Sequence, residues 1–140
     1  FRRFIENALH AVDPEAGKIF IYTRTPSQNA GSIWGQYFPG FAERETRLYE
    51  LDDTEDMIES IDAVRLDTTI SFKYGRRATL DDLIARVRAR HYSTFSLDDD
   101  SELEDATEVF QGNVAGAFDD TSDIEWSDEN MLLVLSPDPY

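Results

Sequence analysis

The stretch "SLDDDSELEDATEVFQGNVAGAFDDTSDIEWSDENMLLVL", residues 96–135, decides how the chain is read. Residues 96–130 hold thirteen carboxylates and no lysine or arginine. Residues 131–135 are all apolar and make the longest such run in the chain. A short apolar run followed by "SPDPY" predicts a buried strand that returns to a sheet. The acidic residues 96–130 then read as an insertion or loop region before the last strand, not as a free tail. Part of it, such as residues 101–110, is open to a helical reading.

Working upstream, residues 79–90 carry the clearest helix signal. Thr79 is the cap, and Asp81 and Asp82 suit the positive end of the helix dipole. Arg86, Arg88 and Arg90 suit the negative end. Leu80, Leu83, Ile84 and Val87 form its apolar stripe. Residues 66–74 alternate and predict a strand with Leu66, Thr68, Ile70, Phe72 and Tyr74 toward the core. Residues 54–64 predict a helix with Met57, Ile58, Ile61 and Val64 buried. "KIFIYTR", residues 18–24, predicts a strand. Its apolar residues on both faces point to an inner position.

Residues 47–51 read as a second short strand, and residues 1–12 as an amphipathic helix. Between the first two strands lies "TPSQNAGSIWGQYFPGFAERE", a long loop rich in aromatics and glycine. The resulting expectation is a single α+β domain over residues 1–140. It has a mainly antiparallel sheet, about three helices packed on it, and the acidic insertion before the last strand.

Composition bounds the function. The chain has 140 residues, 41% of them apolar, with nine Phe, six Tyr and two Trp. That suffices for a core and excludes a disordered chain. The absence of cysteine removes disulfides, thiolate metal sites and Cys nucleophiles. No apolar run approaches membrane-spanning length, and no secretion signal is visible. The first residue is Phe1, which suggests a processed chain, an excised domain or a missing start. A cytoplasmic place, or one within a viral or other large assembly, fits these signs.

Net charge is −16, and it is uneven along the chain. Residues 1–90 hold 13 basic and 15 acidic side chains, whereas residues 91–140 hold 14 acidic and none basic. Scarce lysine and an excess of Asp over Glu are marks of proteins from salt-loving cells. Such adaptation coats a whole surface, so the near-neutral first part favours a local acidic device.

Chemical motifs are few. His10 and His91 are far apart and read as surface or capping residues. "DDTSDIEWSDEN", residues 119–130, resembles a calcium loop at its odd positions. It has Ile124 where glycine is needed and Asn130 where a bidentate glutamate is needed. No phosphate loop, nucleophile elbow or marked carboxylate pair is present, so no catalytic residue, metal site or cofactor is assigned.

The signal that remains is acid interleaved with aromatics. It predicts a non-catalytic interaction protein presenting an acidic, aromatic-studded surface to a basic protein partner, as an inhibitor or charge mimic. The candidate contact residues are Phe118, Asp119, Asp120, Asp123, Glu125, Trp126 and Asp128. Trp34, Tyr37 and Phe38 of the aromatic loop join them. Direct nucleic-acid binding is not expected of so acidic a chain. A structural or assembly subunit of a virion or large complex is the alternative, and an enzyme with a site invisible in the sequence comes third.

Overall fold

The computed structural model describes residues 1–138; Pro139 and Tyr140, the end of the "SPDPY" segment, lie outside the described residues. Helix and strand are mixed. In chain order they are α1 (Arg2–Leu9), β1 (Ile19–Thr23), α2 (Pro26–Gly31), α3 (Ile33–Tyr37), α4 (Phe41–Arg44), α5 (Leu51–Glu59) and β2 (Val64–Ala78). Then come α6 (Leu80–Arg88), a 3-10 turn (Ser93–Leu97), α7 (Asp100–Ala117) and β3 (Ile124–Pro137). The three strands form one sheet in the order β1-β3-β2. β1 runs antiparallel to β3, with Ile19 opposite Leu135 and Thr23 opposite Met131. Among the described residues, no helix is long and apolar enough to cross a membrane.

The chain forms two compact units. The first takes Phe1–Thr25, Leu48–Phe72 and Asn130–Tyr140; the second takes Pro26–Arg47 and Lys73–Glu129. β2 and β3 give residues to both. The first unit's core joins Ile5 of α1, Ile19 of β1, Ile58 of α5, and Met131, Leu133 and Leu135 of β3. Arg2 ties α1 to the end of α5 by donating to the Ser60 carbonyl at 2.6 Å. Lys18 donates to Asp67 at 2.7 Å, and Ser136 donates to the same carboxylate. Hydrogen bonding from Lys18, then from Ser136 and Arg65, holds the Asp67 carboxyl well below the usual carboxylate range.

The second unit is built on aromatics. Trp34 of α3 stacks on Phe110 of α7, centroids 5.1 Å apart, and Phe95 meets Trp34 at 5.3 Å and Phe38 at 5.0 Å. Leu83 and Val87 of α6 complete the core beside Leu103 and Val114 of α7. Two positive-φ residues shape the connections. Gly40 (φ 71°) starts α4, and Arg90 (φ 51°) ends α6. A left-handed arginine is strained. Three hydrogen bonds offset this: its guanidinium donates to the Phe95 carbonyl (2.6 Å), the Asp98 carbonyl (3.2 Å) and the Asp100 carboxylate (2.7 Å).

Several expectations need correction. The acidic residues 96–130 are not an inserted loop but the end of the 3-10 turn, the whole of α7, a short turn at residues 118–123 and the first half of β3. Asp99 and Glu102 form a reciprocal capping box at the start of α7. Leu103, Thr107, Phe110 and Val114 then recur every three or four residues and are buried. Among the described residues the helices number seven, not about three: α2, α3 and α4 are too short to show a 3.6-residue period, and α7 lies in the stretch read as an insertion.

Residues 47–51 form no strand; Leu51 opens α5, whose first turn carries Asp52 and Asp53. β1 is an edge strand, with Phe20 and Tyr22 exposed at 63% and 58%. In the middle of β2, Ile70 and Phe72 are exposed rather than buried, since the two cores take only Val64 and Leu66 at one end and Ala78 at the other.

The charge is not local either. By unit, five basic and twelve acidic residues leave −7 in the first, and eight basic and seventeen acidic leave −9 in the second. Within the second unit the acidic stretch finds its cations upstream. Arg44 pairs with Asp98, Arg88 with Glu104 (2.9 Å), Arg90 with Asp100, and Lys73 with Glu129 (3.4 Å).

Phe110→Ala should cost about 3–5 kcal/mol, whereas the truncation Val109→Ala, one residue earlier on the exposed face of α7, should stay within about 0.5 kcal/mol. Denaturant titration of the two variants checks this. Equal, small losses would mean that α7 is not seated in the core.

Candidate functional site

The site is assembled by the segment expected to be a loop. Ser32 caps α3: its hydroxyl donates to the Asn29 carbonyl (2.7 Å) and accepts the Gly35 N–H (3.1 Å). This folds α3 back against α2. A side chain at Gly35 would collide with the Asn29 carbonyl oxygen and the Ala30 backbone, so the close approach requires glycine. The Asn113 side chain on α7 donates to the Tyr37 carbonyl at 2.9 Å, fixing the end of α3. Tyr37 then meets Phe118, the cap residue of α7, edge to face at 5.6 Å.

The opposite wall is β3. Trp126 is half-buried, and its indole N–H donates to the buried Asp128 carboxylate at 3.2 Å. The other oxygen of Asp128 lies 3.7 Å from the Arg76 guanidinium, which sits over the Tyr74 ring. Arg77 pairs with Asp123 (2.9 Å) and with Glu125. Between these walls runs a groove of about 500 Å³, lined by Tyr37, Phe118, Trp126, Glu125, Glu129 and Lys73, with Gln28, Gln36 and Ser127 at its polar margin.

The groove brings together four residues picked from sequence: Tyr37, Phe118, Glu125 and Trp126. The other six lie elsewhere. Trp34 and Phe38 are core residues, exposed by only 3% and 4%, and have no surface to offer a partner. Asp119 and Asp120 sit in the exposed turn from α7 to β3. There Ser122 donates its hydroxyl and its N–H to Asp120, which lowers that carboxyl. Asp123 and Asp128 are held by arginines of β2.

Sequence reading passed over Lys73 and Glu129. Lys73 carries no signal of its own in an alternating strand, and only the pairing of β2 beside β3 places Glu129 next to it.

Chemically the groove offers three aromatic surfaces, two carboxylates, one ammonium and several amides and hydroxyls. Both histidines are exposed and neither lines it. Among the described residues no group of three or more His, Asp or Glu side chains is placed to hold a metal ion. No protein-family model matches the chain, and no curated protein matches it.

Gly35→Ala should destabilise the protein by about 1–3 kcal/mol, because the new methyl group has only backbone to push against. Gly116→Ala, with open space around it, should be neutral or slightly stabilising through helix propensity. Thermal unfolding of both variants distinguishes them; a harmless Gly35→Ala would mean that α2 and α3 are not packed this closely.

Proposed function

We propose that this chain is a non-catalytic binding protein whose second unit docks a basic protein partner in the groove between α3, the end of α7 and β3. One observation carries the reading: Tyr37, Phe118 and Trp126 line the same hollow as Glu125 and Glu129, on a unit of net charge −9. Carboxylates attract and orient a cationic segment, and half-buried aromatic rings hold it by apolar contact and cation–π attraction. Long-range attraction raises the association rate, while the aromatic anchors slow dissociation. An inhibitor or charge-mimic role suits such a surface, within the cytoplasm or a larger assembly. Nucleic acid is a poor ligand, since both units repel phosphate.

A second reading, an assembly subunit, is favoured by the exposed apolar side chains of the first unit's sheet. Phe20 and Tyr22 stand on β1, and Phe72 of β2 touches the Tyr22 ring at 6.1 Å. Exposed apolar groups that adjoin one another mark interfaces. This reading expects self-association.

A capped peptide of alternating arginine and valine is the probe. Asp119→Asn combined with Glu129→Gln should slow association and flatten its salt dependence. Trp126→Ala should instead speed dissociation by about tenfold. Surface-binding kinetics at two salt concentrations read both. Unchanged rates in both variants would remove the groove from the function, and concentration-dependent oligomers in sedimentation would favour the assembly reading.

A further inference from the structure

The sheet has an open edge beside the groove. β1 pairs with β3 only from Met131 to Leu135. The chain then leaves the sheet, and residues 26–31 form α2. On its other side β3 is neighboured by β2, with Lys73–Glu129 and Arg77–Glu125 as cross-strand ion pairs. Among the described residues, no strand lies against Ile124–Glu129 on the side that β1 takes further along.

The groove follows this edge. Glu125, Ser127 and Glu129 point to one face of β3 and Trp126 to the other, since side chains alternate along a strand. All four line the same hollow. Its facing wall is made by Gln28, Gly31, Ile33, Gln36 and Tyr37 of α2 and α3, the segment that follows β1 in the chain, while Lys73 reaches it from β2.

We propose that the edge of β3 over residues 124–129 takes up an extended basic segment of the partner as an added strand. This rests on the reading that the groove docks a basic protein, and it adds the conformation of the bound segment. Main-chain hydrogen bonds to β3 supply sequence-independent affinity. The added strand's side chains alternate between the faces. One set meets Glu125 and Glu129, so basic residues are favoured there. The other set meets Trp126, Phe118 and Tyr37, so apolar residues or a stacked guanidinium are favoured.

Charge selects the occupant. The edge sequence "IEWSDE" has three carboxylates and no lysine, arginine or proline. Open edges are usually guarded against strand pairing by lysine or proline. Here the carboxylates repel a second copy of the same edge and leave it open to a cationic strand.

The test uses the alternating arginine–valine peptide and two backbone-methylated forms of it, with N-methyl groups on odd or on even residues. Only one set of N–H groups can point at β3, so one methylated form should bind about tenfold or more weakly and the other about as well as the parent. Amide exchange over residues 124–129 should slow when the parent binds. Should both methylated forms bind like the parent, strand addition is wrong while the basic-partner reading stands. Should the parent itself fail to bind at about millimolar concentration, both are wrong. The protein is the same in every arm, so no outcome depends on a variant folding.

Discussion

Helix α7 sets the terms for the second unit. It must bury Leu103, Phe110 and Val114 while carrying five carboxylates and no cation of its own. The buried stripe supplies the energy, since each exposed ion pair contributes less than about 1 kcal/mol. The cations decide instead whether the negative charge is tolerable. Arg88 and Arg90, at the end of α6, meet Glu104 and Asp100. Arg90 also binds the Phe95 and Asp98 carbonyls, so one side chain both offsets charge and closes the turn that leads into α7. With α7 in place, Phe110 stacks on Trp34, which positions α3, and Phe118 meets Tyr37, which shapes the groove.

The linear segregation of charge is therefore largely undone by folding. Basic residues concentrated before position 91 become partners for the carboxylates after it, and the two units end with similar net charges. Pairing also sorts the carboxylates by role. Asp123 and Asp128 are engaged by arginines and stabilise strand β3. Asp119 and Asp120 remain on an exposed turn, where they add to the field without touching the groove. Glu125 and Glu129 border the groove but are also paired with Arg77 and Lys73. A basic ligand therefore competes with internal cations, at low cost because these pairs are exposed.

Much of the fold was legible from periodicity. The central helices around residues 54–59 and 80–88, the strand at residues 19–23 and the return strand at residues 131–135 all appear where alternation or a 3.6-residue stripe indicated them. What escaped had physical reasons. Helices of four to six residues, such as α2 to α4, show less than two turns of pattern. The first half of β3, "IEWSDEN", looks like a polar loop, because the lysine and arginines that pair with its carboxylates stand on β2, about fifty residues away in sequence. Of the site, Trp126, Phe118, Tyr37 and Glu125 were legible as aromatics and acid in one region. Trp34 and Phe38 were not separable from Tyr37, since burial depends on α7, which the acidity of its own sequence concealed.

Seating of α7 in the core is the claim on which the groove, its aromatic wall and the open edge of β3 all depend. Native-state hydrogen exchange resolved by residue measures it directly. The Thr107, Phe110, Gln111 and Val114 amides should exchange as slowly as those of Leu83, Ile84 and Val87, orders of magnitude below the unprotected rate. Rapid exchange throughout residues 100–117, with α6 still protected, would contradict this and return the acidic stretch to a solvated loop.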